Sequence, residues 1–144
     1  MQYENEAQFA SDIEGFNLED NFVMRWRGTV TIAEAGQYTF ATDSDDGSMV
    51  YIDGQLIVDN DRNHGSQHRE GTVDLTVGPH AIKITFFEHG GGATMGAQWS
   101  PTPGASLQRL GGSAFTNSIG CGDDQQLVSA GDRCAIGFCE SPCA

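Results

Sequence analysis

The stretch Thr42-Asp43-Ser44-Asp45-Asp46-Gly47-Ser48-Met49-Val50-Tyr51-Ile52-Asp53-Gly54-Gln55-Leu56-Ile57-Val58 decides how this chain is read. Its second half is the sharper fold signal. Met49–Ile52 and Gln55–Val58 are apolar runs of strand length. Asp53-Gly54 between them is a strong two-residue hairpin signal, because that turn needs positive φ at both central positions. The first half carries candidate chemistry. Asp45 and Asp46 sit side by side in what reads as a tight polar turn between two strands. Adjacent side chains on an extended strand point to opposite faces, so these carboxylates converge only if the backbone bends sharply between them. Converging carboxylates repel unless a cation lies between them, and an all-oxygen ligand set suits a hard cation such as calcium.

Outward from this stretch the pattern stays that of strands. Phe22–Ile32 alternates through its second half, and Gln37–Thr42 does the same after Glu34-Ala35-Gly36. Thr72–Val77 alternates strictly, Gly78-Pro79 punctuates, and His80–Phe87 resumes the period of two. Ala93–Trp99 makes a last core strand before Ser100-Pro101-Thr102-Pro103-Gly104. Short strands at regular spacing with turns between them predict an all-β fold, an antiparallel β-sandwich. The 19 glycines suit such a turn-rich design, and there is no internal repeat. Three stretches lack the pattern: residues 1–21, the polar run Asp59–Glu70, read as a long loop, and residues 101–144. The division expected is a sandwich over 1–110 and a cysteine-containing segment over 111–144.

Bulk properties narrow the function. Across 144 residues, 20 acidic against 7 basic side chains leave a formal net charge of −13. Such a surface repels phosphate backbones and anionic bilayers, which argues against nucleic acid as a partner. It accommodates divalent cations and neutral ligands such as sugars. No apolar run has the length of a membrane span, so membrane insertion is not expected. The first residues, Met1 to Ala7, lack the basic and apolar regions of a signal peptide. Cys121, Cys134, Cys139 and Cys143 all fall in the last quarter, an even number in a loop-like segment, and predict two disulfides stapling an irregular C-terminal tail. That places the protein outside the cell or at the cell surface. A structural zinc site ranks lower, because short Cys-x-x-Cys knuckles are missing.

The ordered set of motifs resembles the protective-antigen-type domain, the PA-fourteen domain of flocculin-type adhesins, bacterial toxins and some glycosidases. The resemblance is carried by Asn21–Gly28, Ala35–Phe40, Asp43–Gly47, Tyr51–Gly54 and Phe86–Ala93 leading into Trp99-Ser100, over roughly residues 16 to 110. It implies a β-sandwich. In the sugar-binding branch, paired aspartates joined by a cis peptide chelate calcium, and calcium chelates the sugar; Asp45 and Asp46 match that pair. The second calcium loop of the family corresponds here to Glu88–Thr94. Three successive glycines there let carbonyls turn toward a cation. Family binders tend to carry an amide at the position of His89. Imidazole suits calcium poorly, which leaves the remaining oxygen to Glu88 or to backbone carbonyls.

The resemblance therefore implies a metal set of Asp45, Asp46, Glu88, His89, Gly91 and Ala93 around Ca2+. The sugar rim would comprise Asn63, His64, His89, Gly90 and Gly92 beside the two aspartates, within loops 60–68 and 89–95. The ligand expected is a neutral glycan with vicinal hydroxyls, bound by one module of a multidomain or multimeric protein. Two alternatives stand beside this lectin reading: a structural assembly module with no sugar ligand, and an accessory domain of a glycosidase.

Asp-Asp-Gly also makes a plain turn, with carboxylates accepting backbone hydrogen bonds. Asp43, Asp45 and Gly47 fail the EF-hand spacing, since the glycine falls at position five. The four histidines His64, His68, His80 and His89 read as surface residues, and Trp26, Phe40, Tyr51, Phe86, Phe87 and Trp99 as core. No Gly-x-Ser-x-Gly elbow or His-Glu-x-x-His helix is present, so catalysis is not expected.

Overall fold

The structure, a computed structural model, describes residues 2–3 and 20–117. The four cysteines and residues 4–19 lie outside the described residues, so the disulfide expectation does too. Among the described residues ten strands follow in order: β1 (Gln2–Tyr3), β2 (Phe22–Ile32), β3 (Gly36–Asp45), β4 (Ser48–Ile52), β5 (Gln55–Asn60), β6 (Gln67–Leu75), β7 (Gly78–Glu88), β8 (Thr94–Trp99), β9 (Gln108–Arg109) and β10 (Phe115–Asn117). One sheet runs β1-β8-β3-β6 with β9 also on β8, and the other runs β10-β2-β7-β4-β5. All pairings are antiparallel. The expected all-β sandwich is what forms, and among the described residues no helix is long and apolar enough to cross a membrane.

Strict alternation places one side chain in two on the core. From β2, Met24, Trp26, Val30 and Ile32 are buried, and Ile82, Ile84 and Phe86 of β7 face the same interior. Tyr38 and Phe40 of β3 and Met95, Ala97 and Trp99 of β8 close it from the other sheet. Trp99 stacks on Tyr38 at 6.1 Å and meets the Phe115 ring edge-on at 4.7 Å. Fully burying one such side chain contributes roughly 1.5 to 3 kcal/mol, so this interior is the main source of stability. Asp53 and Gly54 adopt φ of 49° and 82°, as the hairpin signal requires.

Several boundaries differ from the sequence expectation. Strand β3 does not stop at Thr42 but continues to Asp45, because Ser44 pairs with Gln67 and Asp45 with Thr94. The polar run 59–70 is a loop only between β5 and β6. Its ends pair in the sheets despite their polarity, since one face of each is solvated. Gly78-Pro79 opens β7 instead of separating two strands, with Pro79 opposite Thr31. Tyr51 and Phe87 are not core residues. They have the parity opposite to Val50 and Phe86 and stand half-buried on the outer face of their sheet, with the Lys83 ammonium 4.0 Å from the Tyr51 ring centroid. Beyond Leu110, β10 pairs with the Gly28–Val30 segment of β2, so the sandwich takes in residues up to 117.

Candidate functional site

At one end of the sandwich the last residue of β3 and the last residue of β7 come together from opposite sheets. Asp45 ends β3, Asp46 follows it, and Glu88 ends β7. Carboxylate oxygens of all three lie within 4.8 Å of one another. The Asp45–Asp46 peptide is cis. Glu88 reaches this point because it continues the inward parity of Ile82, Ile84 and Phe86. It is therefore a carboxylate on the core face, and only 1% of it is exposed.

The three acids are held differently. Asp46 is 2% exposed, and both its oxygens are used. Oδ1 accepts the His64 N–H and Oδ2 the His89 N–H, each at 2.9 Å. One carboxylate thus ties the turn to the loop 61–66 and to the loop after β7. Neither oxygen of Glu88 has a hydrogen-bond partner. Burial pushes its carboxyl up to about 7, and the nearby Asp46 and Asp45 charges add to the rise. The amides of Gly90 and Asp46 oppose it from beyond hydrogen-bond geometry. Asp45 is also raised, first by burial and then by the Asp46 charge, with His64 and the Ser66 backbone acting against the rise. Three carboxylates crowded on one point, two of them buried and Glu88 without a donor, are a donor set for a hard cation: all oxygen, and at Glu88 unsatisfied without one. The residues present fit a metal ion on this ground.

A polar network beneath the turn fixes it. Ser44 and Ser48 hydroxyls lie 2.7 Å apart, and Ser48 donates to Thr42 Oγ1 at 2.9 Å. Buried Asn60 donates through Nδ2 to Ser44 Oγ at 3.1 Å and to the Gln67 carbonyl at 3.0 Å, while its Oδ1 accepts from Gln67 Nε2 at 2.8 Å. The His64 ring contacts the Asn60 and Gly65 carbonyls at 3.0 and 2.7 Å. Asn60 therefore supports both the strand leading into the turn and the loop that caps Asp46. Sequence reading placed Asn60 only at the start of a rim loop. The available signal was parity, since Val58 and Asn60 share the inward face of β5. Gly47 is the turn residue that cannot carry a side chain: a Cβ there would collide with the Phe87 ring and sit 2.9 Å from the Arg62 carbonyl.

The other expected site residues fall around this centre. His89 is exposed and offers its backbone N–H to Asp46. Gly90, Gly91 and Gly92 form the exposed loop, with Gly91 at φ 103° and its N–H donating to Asp20 Oδ1 at 3.2 Å. The Ala93 side chain is buried in the core. Asn63 is exposed, and it lines an open groove beside Glu88 and His89. His68 and His80 do not join the site. His68 bridges Asp43 and Glu70, and His80 bonds Asp53 at 2.6 Å.

Comparison with known proteins agrees with this architecture. A family model described as the PA14 domain matches residues 2–107. Anti-sigma-I factor RsgI3 of Acetivibrio thermocellus is 29% identical over 83 residues, which is 57% of this chain but 13% of that protein. Among solved structures, the PA14 domain of an antifreeze protein superposes with a TM-score of 0.59 at 26% identity, covering 67% of this chain and 51% of that one. A PA14 sugar-binding domain from an RTX adhesin gives 0.50 at 28% identity, covering 66% and 49%. The chain thus spans about half or less of the proteins it matches. The sandwich, the aspartate turn and the family model over most of its length agree: this chain belongs to the PA14 domain family.

Proposed function

We propose that this domain is a calcium-dependent carbohydrate-binding module of a larger extracellular or cell-surface protein. The observation that carries the reading is Glu88, a buried carboxylate with no hydrogen-bond partner, in a cluster with Asp45 and Asp46. A divalent cation would offset the mutual repulsion of the three acids and the cost of burying them. Calcium takes 6 to 8 oxygen ligands. Three carboxylates leave positions for carbonyls of the Glu88–Ala93 loop, waters and two neighbouring sugar hydroxyls. Vicinal hydroxyls suit this role because two adjacent oxygens can occupy two positions on one ion. Asn63, His64, His89, Gly90 and Gly92 are the residues from which a sugar rim would come. The similarity to a sugar-binding PA14 domain supports the same reading.

Binding is favoured over glycoside hydrolysis on geometry. Hydrolysis places two carboxyl groups on opposite sides of a bond, roughly 5 to 9.5 Å apart, whereas here the acids gather on one point within 4.8 Å. The match to an anti-sigma factor favours a second reading, a module that serves assembly or signalling within a longer chain without a sugar ligand. A glycan array probed with multimerised protein separates the two. The lectin reading expects signals for fucose-, galactose-, mannose- or glucose-type glycans in calcium that vanish with chelator. A silent array at high valency, with calcium still bound, favours the second.

A further inference from the structure

Beside the carboxylate cluster lies an open groove of about 400 Å³ lined by Asn21, Val23, Asn63, Phe87, Glu88 and His89. Its composition is unusual for the surface of so acidic a protein. Val23 is 47% exposed, one of three large apolar side chains that stand out in solvent among the described residues. It lies directly opposite Phe87 in the β2–β7 register, so the two form one apolar floor. The Phe87 ring is held in place from the side of the turn. The Phe87 backbone N–H donates to the Gly47 carbonyl at 2.9 Å, and the ring lies against Gly47 where a Cβ would sit. Asn63 and Asn21 line the same groove, with Asn21 in a left-handed backbone (φ 58°). An apolar platform with a few amides at its edge matches a pyranose ring, which has an apolar C–H face and hydroxyls around its rim.

We propose that this groove binds the glycan residue next to the one held by calcium, with that ring lying on Phe87 and Val23 and its hydroxyls bonded by Asn63 and Asn21. The inference rests on the calcium-dependent reading above. It adds that the ligand is an oligosaccharide of at least two residues, since the groove shares Glu88 with the cluster and its other lining residues lie outside it. Calcium fixes the first sugar, and the apolar floor selects the second.

The test is calorimetry of the full chain in calcium, with methyl α-mannoside, methyl β-galactoside and methyl α-glucoside against mannobiose, lactose and maltose. The expected result is a disaccharide that binds roughly tenfold tighter than its monosaccharide. Val23→Asn, on the exposed side of the floor, should abolish that advantage while calcium affinity and monosaccharide affinity stay unchanged. Saturation-transfer NMR on the unmodified protein supplies an independent readout: C–H protons of the second ring, not only the first, should receive magnetisation from an aromatic side chain. Equal affinity for both ligand lengths, or a second ring without saturation transfer, overturns this inference and leaves the calcium site standing. No calcium-dependent binding of any of these sugars removes the underlying reading, and this one with it.

Discussion

Asp46 and Glu88 are neighbouring buried carboxylates with opposite hydrogen-bonding environments: Asp46 accepts two backbone N–H groups, and Glu88 accepts none. The difference makes Glu88 the sensitive member. Its carboxyl is raised from 4.5 to about 7 by burial, so the folded state binds its proton more tightly than the unfolded state does. Stability from this group is present below about pH 4.5 and is lost as pH rises through about 7, by about 3 kcal/mol. Thermal unfolding followed from pH 5 to 8 in chelator should show a Tm that falls with pH. Calcium should reverse the fall, and Glu88→Gln should make it shallower, leaving the smaller share from Asp45 and the raised histidines. A Glu88→Gln protein with the unmodified pH profile contradicts the assignment.

Gly47 is expected to tolerate no side chain. Overpacking a dense site costs about 1 to 3 kcal/mol, and here a Cβ meets both the Phe87 ring and the Arg62 carbonyl. Urea denaturation of Gly47→Ala should register a loss in that range, with weaker calcium binding, because the turn moves with the loop. A variant as stable as the parent shows that the turn is loosely packed.

Asn60 holds the turn from below. Replacing it with Ala removes the hydrogen bonds to Ser44 Oγ, to the Gln67 carbonyl and from Gln67 Nε2, at a net cost of about 0.5 to 1.5 kcal/mol for each bond lost. Calcium affinity should drop with stability, because Asn60 Nδ2 holds the Gln67 carbonyl at the end of the 61–66 loop whose His64 N–H caps Asp46. If calorimetry returns the parent calcium affinity, the network stabilises the fold alone.

The His80–Asp53 pair marks a second, separate pH response. Hydrogen bonding to Asp53 raises His80 above 6.5, and hydrogen bonding to His80 lowers Asp53 below 3.8. The His80 contribution is complete below its unfolded value and lost as pH rises through the folded one; the Asp53 contribution is complete above its unfolded value and lost as pH falls. The pair therefore acts mainly between about pH 4 and 6.5. Asp53 is half exposed, so the effect should stay under about 1 kcal/mol. Asp53→Asn keeps the turn and the acceptor for Ala81 N–H. NMR titration should then find His80 closer to its ordinary pKa, and an unmoved titration contradicts the pairing.

What was legible in the sequence depended on period and turn chemistry. The Asp53-Gly54 hairpin and the eleven-residue strand Phe22–Ile32 were readable because local preference and burial agree there. The polar half of β6 was not, since its pairing with β3 is decided by a partner strand distant in sequence. Tyr51 and Phe87 misled as core residues because an aromatic on a strand carries no mark of which face it takes. Counting parity from Val50 and Phe86 would have placed them outside. The same count identifies Glu88 and Asn60 as polar residues on a core face, the clearest signal of the site that the chain offers. The loops that surround the cluster follow no period, and their convergence comes from the sandwich as a whole.

The most direct measurement is a crystal of the protein grown with calcium and then soaked in a disaccharide. The account predicts one ion bounded by oxygens of Asp45, Asp46 and Glu88, with 6 to 8 oxygen ligands at roughly 2.3 to 2.6 Å, two of them vicinal hydroxyls of the sugar. A protonated Glu88 with no ion between the three acids at millimolar calcium contradicts it.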